Sequence, residues 1–262
     1  MIVLALTWIL GSCGCVDLPK PATPPVPDPT PSKDIPWTLD KEYRYVWIQR
    51  GEKVGETRFQ LRRGTEETKP VLRLTADRTY SHEGIHHQGR ESTVLLPDGT
   101  PVRFEESLSV SVLPNRRAQQ DTTVEIREGK ARVTYVPNGD PARKSVYELE
   151  VPKGTFLFAS QAVEHWAIFT SRLSPQRDEE EIRVLYPDFK RVLAVTFRKS
   201  GTESLELKGE KIPTTRYRFS STDGQLNGHV WLDKDQRLIQ VEFPNPGNPD
   251  ASLKVVLATG AK

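Results

Sequence analysis

The 262-residue sequence has only two cysteines, Cys13 and Cys15, and both lie near its start. The rest of the chain can therefore form no internal disulfide, and it holds no cysteine nucleophile. A domain without disulfides must be stabilised by its core alone. Hydrophobic runs long enough to span a bilayer are absent as well. Residues 2–10 are apolar except for Thr7, but they are too few to cross a membrane.

The sequence also has little excess charge of either sign. It contains 37 Lys and Arg against 35 Asp and Glu, which gives a net charge of +2 and a pI near 8.5. This balance is too mild to indicate a nucleic-acid partner, and no basic stripe with interleaved aromatic residues is present. No motif indicates a cofactor.

The apolar residues 2–10 precede Leu10-Gly11-Ser12-Cys13. A run of this length is typical of a signal peptide. The four residues resemble a bacterial lipobox, in which a peptidase cuts before the cysteine and its thiol receives diacylglycerol. The resemblance implies a signal peptide over residues 1–12, a mature chain that starts at lipidated Cys13, and an anchor on the extracytoplasmic side of the cell envelope. Gly14 replaces the aspartate that retains some lipoproteins in the inner membrane, which favours the outer membrane facing the periplasm. An ordinary secretory leader is the alternative.

A proline-rich segment follows the cysteine. Eight prolines lie between residues 16 and 36. Proline cannot donate to a strand ladder, and such a segment favours the extended polyproline II conformation. We therefore predict a disordered tether over residues 13–36 and a single β-rich domain over residues 37–262.

Strand patterns fill most of the predicted domain. Residues 42–48 are rich in aromatic and β-branched types, and turn signals such as Asp98-Gly99 and Asn138-Gly139 recur at short intervals. Between residues 155 and 173 the apolar residues change to helical spacing. They are Phe158, Ala159, Ala162, Trp166, Phe169 and Leu173. The pattern predicts a mainly β fold, a curved antiparallel sheet in the form of a half-barrel or open barrel, with one covering helix around residues 155–173.

Two stretches carry a resemblance to known proteins. They are YRYVWIQRGEKVGETRFQL, residues 43–61, and GHVWLDKDQRLIQVEF, residues 228–243. Both resemble poorly characterised exported bacterial β-proteins, whose expected shape is similar to that of the LolA/LolB lipoprotein carriers. The resemblance implies a strongly curved sheet with an apolar concavity, and it assigns no functional residue.

The sequence His82-Glu83-Gly84-Ile85-His86 matches the H-E-x-x-H pattern of zinc proteases. In those enzymes the two histidines lie one helical turn apart and bind one zinc, and the glutamate acts as the base. Glycine inside the motif argues against a helix. On a strand, His82 and His86 would be about 13 Å apart at about 3.3 Å per residue. A zinc-dependent hydrolase that uses residues 82–86 is therefore kept as an alternative hypothesis.

We expect a non-catalytic envelope lipoprotein that binds an apolar ligand or another envelope component. The residues expected to line the ligand site are Tyr43, Tyr45, Trp47, Phe158, Trp166, Phe169 and Trp231. The alternative is a structural or scaffolding lipoprotein in which the same residues form a filled core. An internal cavity would distinguish the two hypotheses.

Overall fold

Fifteen β-strands and one α-helix account for most of the residues that the computed structural model describes, which are 35–112, 116–159, 161–245 and 251–259. The first eight strands are β1 (Glu42–Gln49), β2 (Glu52–Glu66), β3 (Lys69–His82), β4 (Ile85–Leu95), β5 (Pro101–Val112), β6 (Arg116–Arg127), β7 (Lys130–Pro137) and β8 (Ser145–Glu150). The others are β9 (Thr155–Leu157), β10 (Glu179–Tyr186), β11 (Arg191–Leu207), β12 (Glu210–Ser221), β13 (Asn227–Leu232), β14 (Leu238–Phe243) and β15 (Leu253–Thr259). The helix, α1, is Val163–Thr170.

All fifteen strands belong to one sheet, in the order β8-β7-β6-β5-β4-β3-β2-β1-β15-β14-β13-β12-β11-β10-β9. The chain starts in the middle of the sheet and runs outward by hairpins to β8. It then crosses to the other edge, β9, and returns by hairpins until β15 pairs with β1. Every neighbouring pair is antiparallel except β9 with β10. The predicted curved antiparallel sheet is therefore confirmed.

The sheet is curved but not closed by hydrogen bonds between its two edges. Only residues 151–154 separate β8 from β9 in the chain. Side chains connect the two sides, because the hydroxyl of Tyr147 on β8 donates to the carbonyl of Pro187, just after β10. A group of buried residues from β5 to β7 also packs against Leu157 and Leu185. The fold is therefore an open barrel with a packed seam.

Residues alternate between the two faces of the sheet with the period of two that strands impose. On β1, Tyr43, Tyr45 and Trp47 are buried on the concave side, and the residues between them are more exposed. The concave faces of β1–β3 and β10–β15 enclose the main core. The outer face carries mostly polar and charged residues.

Helix α1 lies inside the curve of the sheet, and all eight of its residues are buried. The predicted helix is confirmed in place but is shorter than residues 155–173. Residues 155–157 instead form β9, because the edge of β10 offers them ladder hydrogen bonds. The helix therefore covers the concave face of the sheet from inside the curve.

No helix among the described residues combines the length and the hydropathy needed to cross a membrane. The predictions for the signal peptide, Cys13 and most of the tether fall on residues 1–34, which lie outside the described residues. They stay predictions, and so do the domain boundaries.

Candidate functional site

The H-E-x-x-H sequence forms a tight hairpin between β3 and β4. Glu83 and Gly84 both have positive φ, at 50° and 78°, and His82 pairs with Ile85 across the turn. His86 pairs with Ser81, and its Nδ1 lies 2.7 Å from the Ser81 hydroxyl. Since Ser81 and His82 point to opposite faces of β3, His82 and His86 also point to opposite faces. This geometry contradicts the weak alternative of a zinc site on these two histidines.

Six of the seven predicted lining residues lie in one core on the concave side of the sheet: Tyr43, Tyr45, Trp47, Phe158, Trp166 and Phe169. Trp166 is at the centre, with its ring centroid 4.5 Å from that of Phe219 and 4.9 Å from that of Phe169. The buried hydroxyl of Tyr45 donates to the Leu238 carbonyl at 2.6 Å. These residues pack against one another and against the helix.

Trp231 does not lie with the other six. Its neighbours Val230 and Leu232 belong to the concave core, so the side chain of Trp231 points to the outer face of β13. It is nevertheless 6% exposed, because Glu203 of β11 covers it and accepts a hydrogen bond from its Nε1 at 2.7 Å. The expectation that Trp231 lines the concavity is therefore wrong.

Two small cavities on the concave side each have a volume of about 10 Å³. A cavity of this size has room for about one water molecule, whereas ligand pockets occupy hundreds of Å³. Arg78 borders the first cavity and His165 borders the second. Both cavities therefore adjoin the same cluster of ionisable side chains.

That cluster, which we call the ionisable network, consists of Arg78, Glu91, Glu106, Glu164 and His165, and all five side chains are buried. Nη2 of Arg78 lies 3.1 Å from Oε2 of Glu91 and also donates to Oε1 of Glu106. Nη1 of Arg78 is 3.6 Å from Oε1 of Glu164. One guanidinium thus faces three carboxyl groups.

Three neighbouring strands and the helix supply the network. Arg78 continues the inward row of Leu74 and Ala76 on β3, and Glu91 pairs directly with Glu106 across β4 and β5. Gly89 lies opposite Arg78 on β4. A Cβ at Gly89 would be 3.3 Å from Arg78 Nε, so the glycine makes room for the guanidinium.

His165 joins the helix to the sheet. Its Nδ1 accepts a hydrogen bond from the backbone N–H of Ala159 at 3.0 Å, so we assign the ring proton to Nε2. Nε2 is 3.1 Å from Oε1 of Glu91, although the N–H does not point straight at that oxygen. The two carboxyl oxygens of Glu164 are fully buried and have no hydrogen-bond partner among the described residues.

The protonation states follow from burial and from Arg78. Burial alone would raise the pKa of Glu91, but His165 and Arg78 outweigh it and lower this pKa to about 2. Burial raises the pKa of Glu106 to about 7 against the attraction of Arg78. Burial and the nearby Glu91 carboxylate raise the pKa of Glu164 well above its usual value. The network therefore contains an ion pair of Arg78 and Glu91, beside two carboxyl groups, Glu106 and Glu164, that hold their protons more tightly than exposed glutamates do.

The network can hold a proton and fix the helix, and it is almost inaccessible to solvent. Removing one partner from such a buried group typically costs about 3–5 kcal/mol, because a charge is left uncompensated. The sequence does contain the signal for this site: charged residues occupy inward positions on three successive strands. The signal becomes readable only once the inward phase of each strand is known.

Comparisons with known proteins find similarity without an established function. A family described as a domain of unknown function, DUF6134, matches residues 143–249, which is less than half of the chain. The comparison with curated proteins finds no match. A β-barrel-like protein of DUF1849 from Brucella abortus has 11% identity and a TM-score of 0.50, covering 84% of this chain and 94% of that protein. This likeness shows a shared fold.

Two further solved structures align over 86% of this chain and 97% of their own, each with a TM-score of 0.32. One is a candidate lipoprotein from Parabacteroides distasonis with 11% identity, and the other is a protein of YmcC-like fold from Bacteroides fragilis with 7% identity. The chain is thus similar to poorly characterised bacterial proteins. The expected similarity to the LolA/LolB carriers is not among these findings and stays a prediction.

Proposed function

We propose that this protein is a lipid-anchored, non-catalytic component of the bacterial cell envelope that acts through its outer surface. The observation that carries the proposal is the filled concave side, where α1 and the aromatic core leave cavities of about 10 Å³. A closed core supports a structural or scaffolding role better than a carrier role.

The anchor in this proposal rests on the sequence. Leu10-Gly11-Ser12-Cys13 supplies the lipidation signal, and the proline-rich segment supplies a spacer of up to about 65 Å at about 3.1 Å per residue. Such a spacer would hold the domain away from the membrane. The proposed location is the periplasmic side of the outer membrane, and the proposed partner is another envelope protein.

Membrane fractionation of the full chain in a bacterial host tests the anchor. The unmodified chain should be in the membrane fraction, with a mass that corresponds to diacylglycerol on Cys13. The variant Cys13→Ser should lose this mass and leave the membrane fraction, whereas the control Cys15→Ser should keep both. Equal behaviour of the two variants would contradict lipidation at Cys13.

A second candidate function is binding of an apolar ligand after α1 moves. The observation that favours it is the ionisable network, which places Glu164 and His165 of α1 against charged rather than apolar groups of the sheet. Replacing a buried ion pair by apolar residues is often neutral or stabilising, so packing alone does not require this network.

Quenching of tryptophan fluorescence by dibromostearate tests the second candidate. A ligand that replaces α1 would lie beside Trp166 and quench it, and Trp166→Phe would remove most of the effect. A filled core predicts no saturable quenching in either protein. Quenching that survives in Trp166→Phe would indicate contact elsewhere and would not support binding in the concavity.

A further inference from the structure

Residues 35–41, which we call the strap, lie between the proline-rich tether and β1. Trp37 is 3% exposed and packs edge-on against Tyr43 and Phe59, with ring centroids 4.7 and 5.5 Å away. Ile35 and Leu39 also pack against the core. Contact with the core is thus already present at Ile35. The strap is therefore an inserted segment rather than a loose linker.

The indole of Trp37 contacts the last turn of α1. Its Nε1 donates to the carbonyl of Ala167 at 3.1 Å. The last four carbonyls of a helix need partners from beyond the helix, and in α1 these belong to residues 167–170. Ser171, Arg172 and Leu173 donate to the other three. The donor from Trp37 thus comes from a distant part of the chain, whereas the other three donors directly follow the helix.

Among the described residues, the packing of Ile35 and Leu39 and two backbone hydrogen bonds hold the strap besides Trp37. The backbone N–H of Thr38 donates to the Tyr43 hydroxyl at 2.8 Å, and that of Asp40 donates to the Leu61 carbonyl at 2.7 Å. The continuous ladder with β2 begins only at Glu42. A pull on the tether would therefore reach the strap before it reaches the sheet, and Trp37 is its main attachment.

We propose that the strap is a mechanical link between the tether and α1, so that withdrawal of Trp37 loosens the last turn of the helix while the sheet stays folded. The domain would then respond to the position of its own anchor. The link rests on the proposed function only in that a membrane holds the far end of the tether. The strap and α1 belong to the same chain, so the link needs no outside ligand.

Hydrogen exchange of the full chain tests the link. Trp37→Phe keeps an aromatic ring but removes the indole N–H, and we expect exchange in residues 163–173 to accelerate at least about fivefold while β3–β7 are unchanged. The matched control is Trp47→Phe, which removes another buried indole donor, whose hydrogen bond at 2.9 Å goes to Thr57 of the sheet and not to α1. Unchanged exchange of α1 in Trp37→Phe, or equal acceleration by both variants, would overturn the proposal.

Force spectroscopy on the unmodified chain gives a second test if Trp37→Phe does not fold. With handles at residues 32 and 262, release of the strap should appear as an extension of about 25 Å before the sheet unfolds, because seven extended residues reach about that length. Direct unfolding without this step would contradict the link. Both tests are made without a membrane, so a failure of lipidation at Cys13 would appear in the fractionation experiment and not here.

Discussion

Arg78 and Glu91 form a nearly inaccessible ion pair inside the curved sheet, with Nη2 and Oε2 3.1 Å apart. Arg78 is on β3 and Glu91 on β4, and His165 brings the buried helix to the same carboxylate. The pair therefore joins the wall of the open barrel to the helix that fills it. In this account, the concave side is a closed core with one polar joint.

Replacing Arg78 by methionine should destabilise the domain strongly. The variant removes the charge that faces Glu91, Glu106 and Glu164, and loss of one partner in a buried network costs about 3–5 kcal/mol. Chemical denaturation of the full chain measures the change in the free energy of unfolding. The matched control is Arg90→Met, since Arg90 is an exposed residue of β4 that pairs with Asp77 on the outer surface. Arg90→Met should change stability little, and equal effects of the two variants would contradict a special role for Arg78.

Stability should decrease as the pH rises from 5 to 8. Burial raises the pKa of Glu106 to about 7, from 4.5 for an ordinary glutamate. The attraction of Arg78 opposes this increase, whereas repulsion from Glu91 and Asp188 adds to it. A carboxyl with a raised pKa contributes stability below its unfolded pKa and loses it as the pH passes through the folded one. The loss from Glu106 is about 3 kcal/mol, at about 1.4 kcal/mol per pKa unit. The free energy of unfolding at a series of pH values measures it.

Two features separate this effect from other titrations. Glu106→Gln should reduce the slope of the pH profile between 5 and 8, because only Glu164, whose pKa is also raised, remains with the same sign, whereas Glu105→Gln, on the exposed face of the same strand, should leave the slope unchanged. His87 has the opposite sign, because burial lowers its pKa and its contribution decreases as the pH falls. The free energy of unfolding should also decrease as the pH falls below about 4.5. The pKa of Glu91 is lowered to about 2, so its stabilisation is lost on acidification. A flat profile in the unmodified chain would contradict the assigned protonation states.

Gly228 should tolerate no side chain. A Cβ there would lie 2.1 Å from the Glu242 carbonyl oxygen and 2.8 Å from the Phe219 ring, which packs against Trp166 in the core. Gly201 is the matched control, because its φ of 143° resembles the 154° of Gly228 but nothing lies within 4 Å of its Cβ position. Thermal unfolding should therefore show a lower melting temperature for Gly228→Ala than for Gly201→Ala. The corresponding difference in the free energy of unfolding should be at least about 2 kcal/mol. Equal losses would mean that backbone strain alone explains the effect.

The sequence predicts much of this fold because alternation and turn residues are local signals. The hairpin at Asp98-Gly99 and the inward aromatic residues of β1 can be read directly from spacing. Alternation shows which residues share a face, but it does not show which face is inward. The local pattern therefore places Trp231 on the concave side, although the fold places it outside under Glu203.

The ionisable network could not be predicted for a related reason. Each of its residues looks like an ordinary polar position until β3, β4 and β5 are placed in register, when Arg78, Glu91 and Glu106 meet. His165 lies on α1, and it is buried because all eight residues of that helix are buried. Such long-range placement depends on the curvature of the whole sheet, which no local pattern encodes.

Native mass spectrometry of the mature full chain, released from detergent micelles after expression in a bacterial envelope, determines whether the concave side is a closed core. A closed core predicts a single species with the mass of the chain from Cys13 and its anchor lipid. A second, stoichiometric lipid or fatty-acid mass that disappears in Trp166→Ala, but persists in the outer-face control Trp231→Ala, would contradict the closed core. That result would establish the concave side as a ligand site.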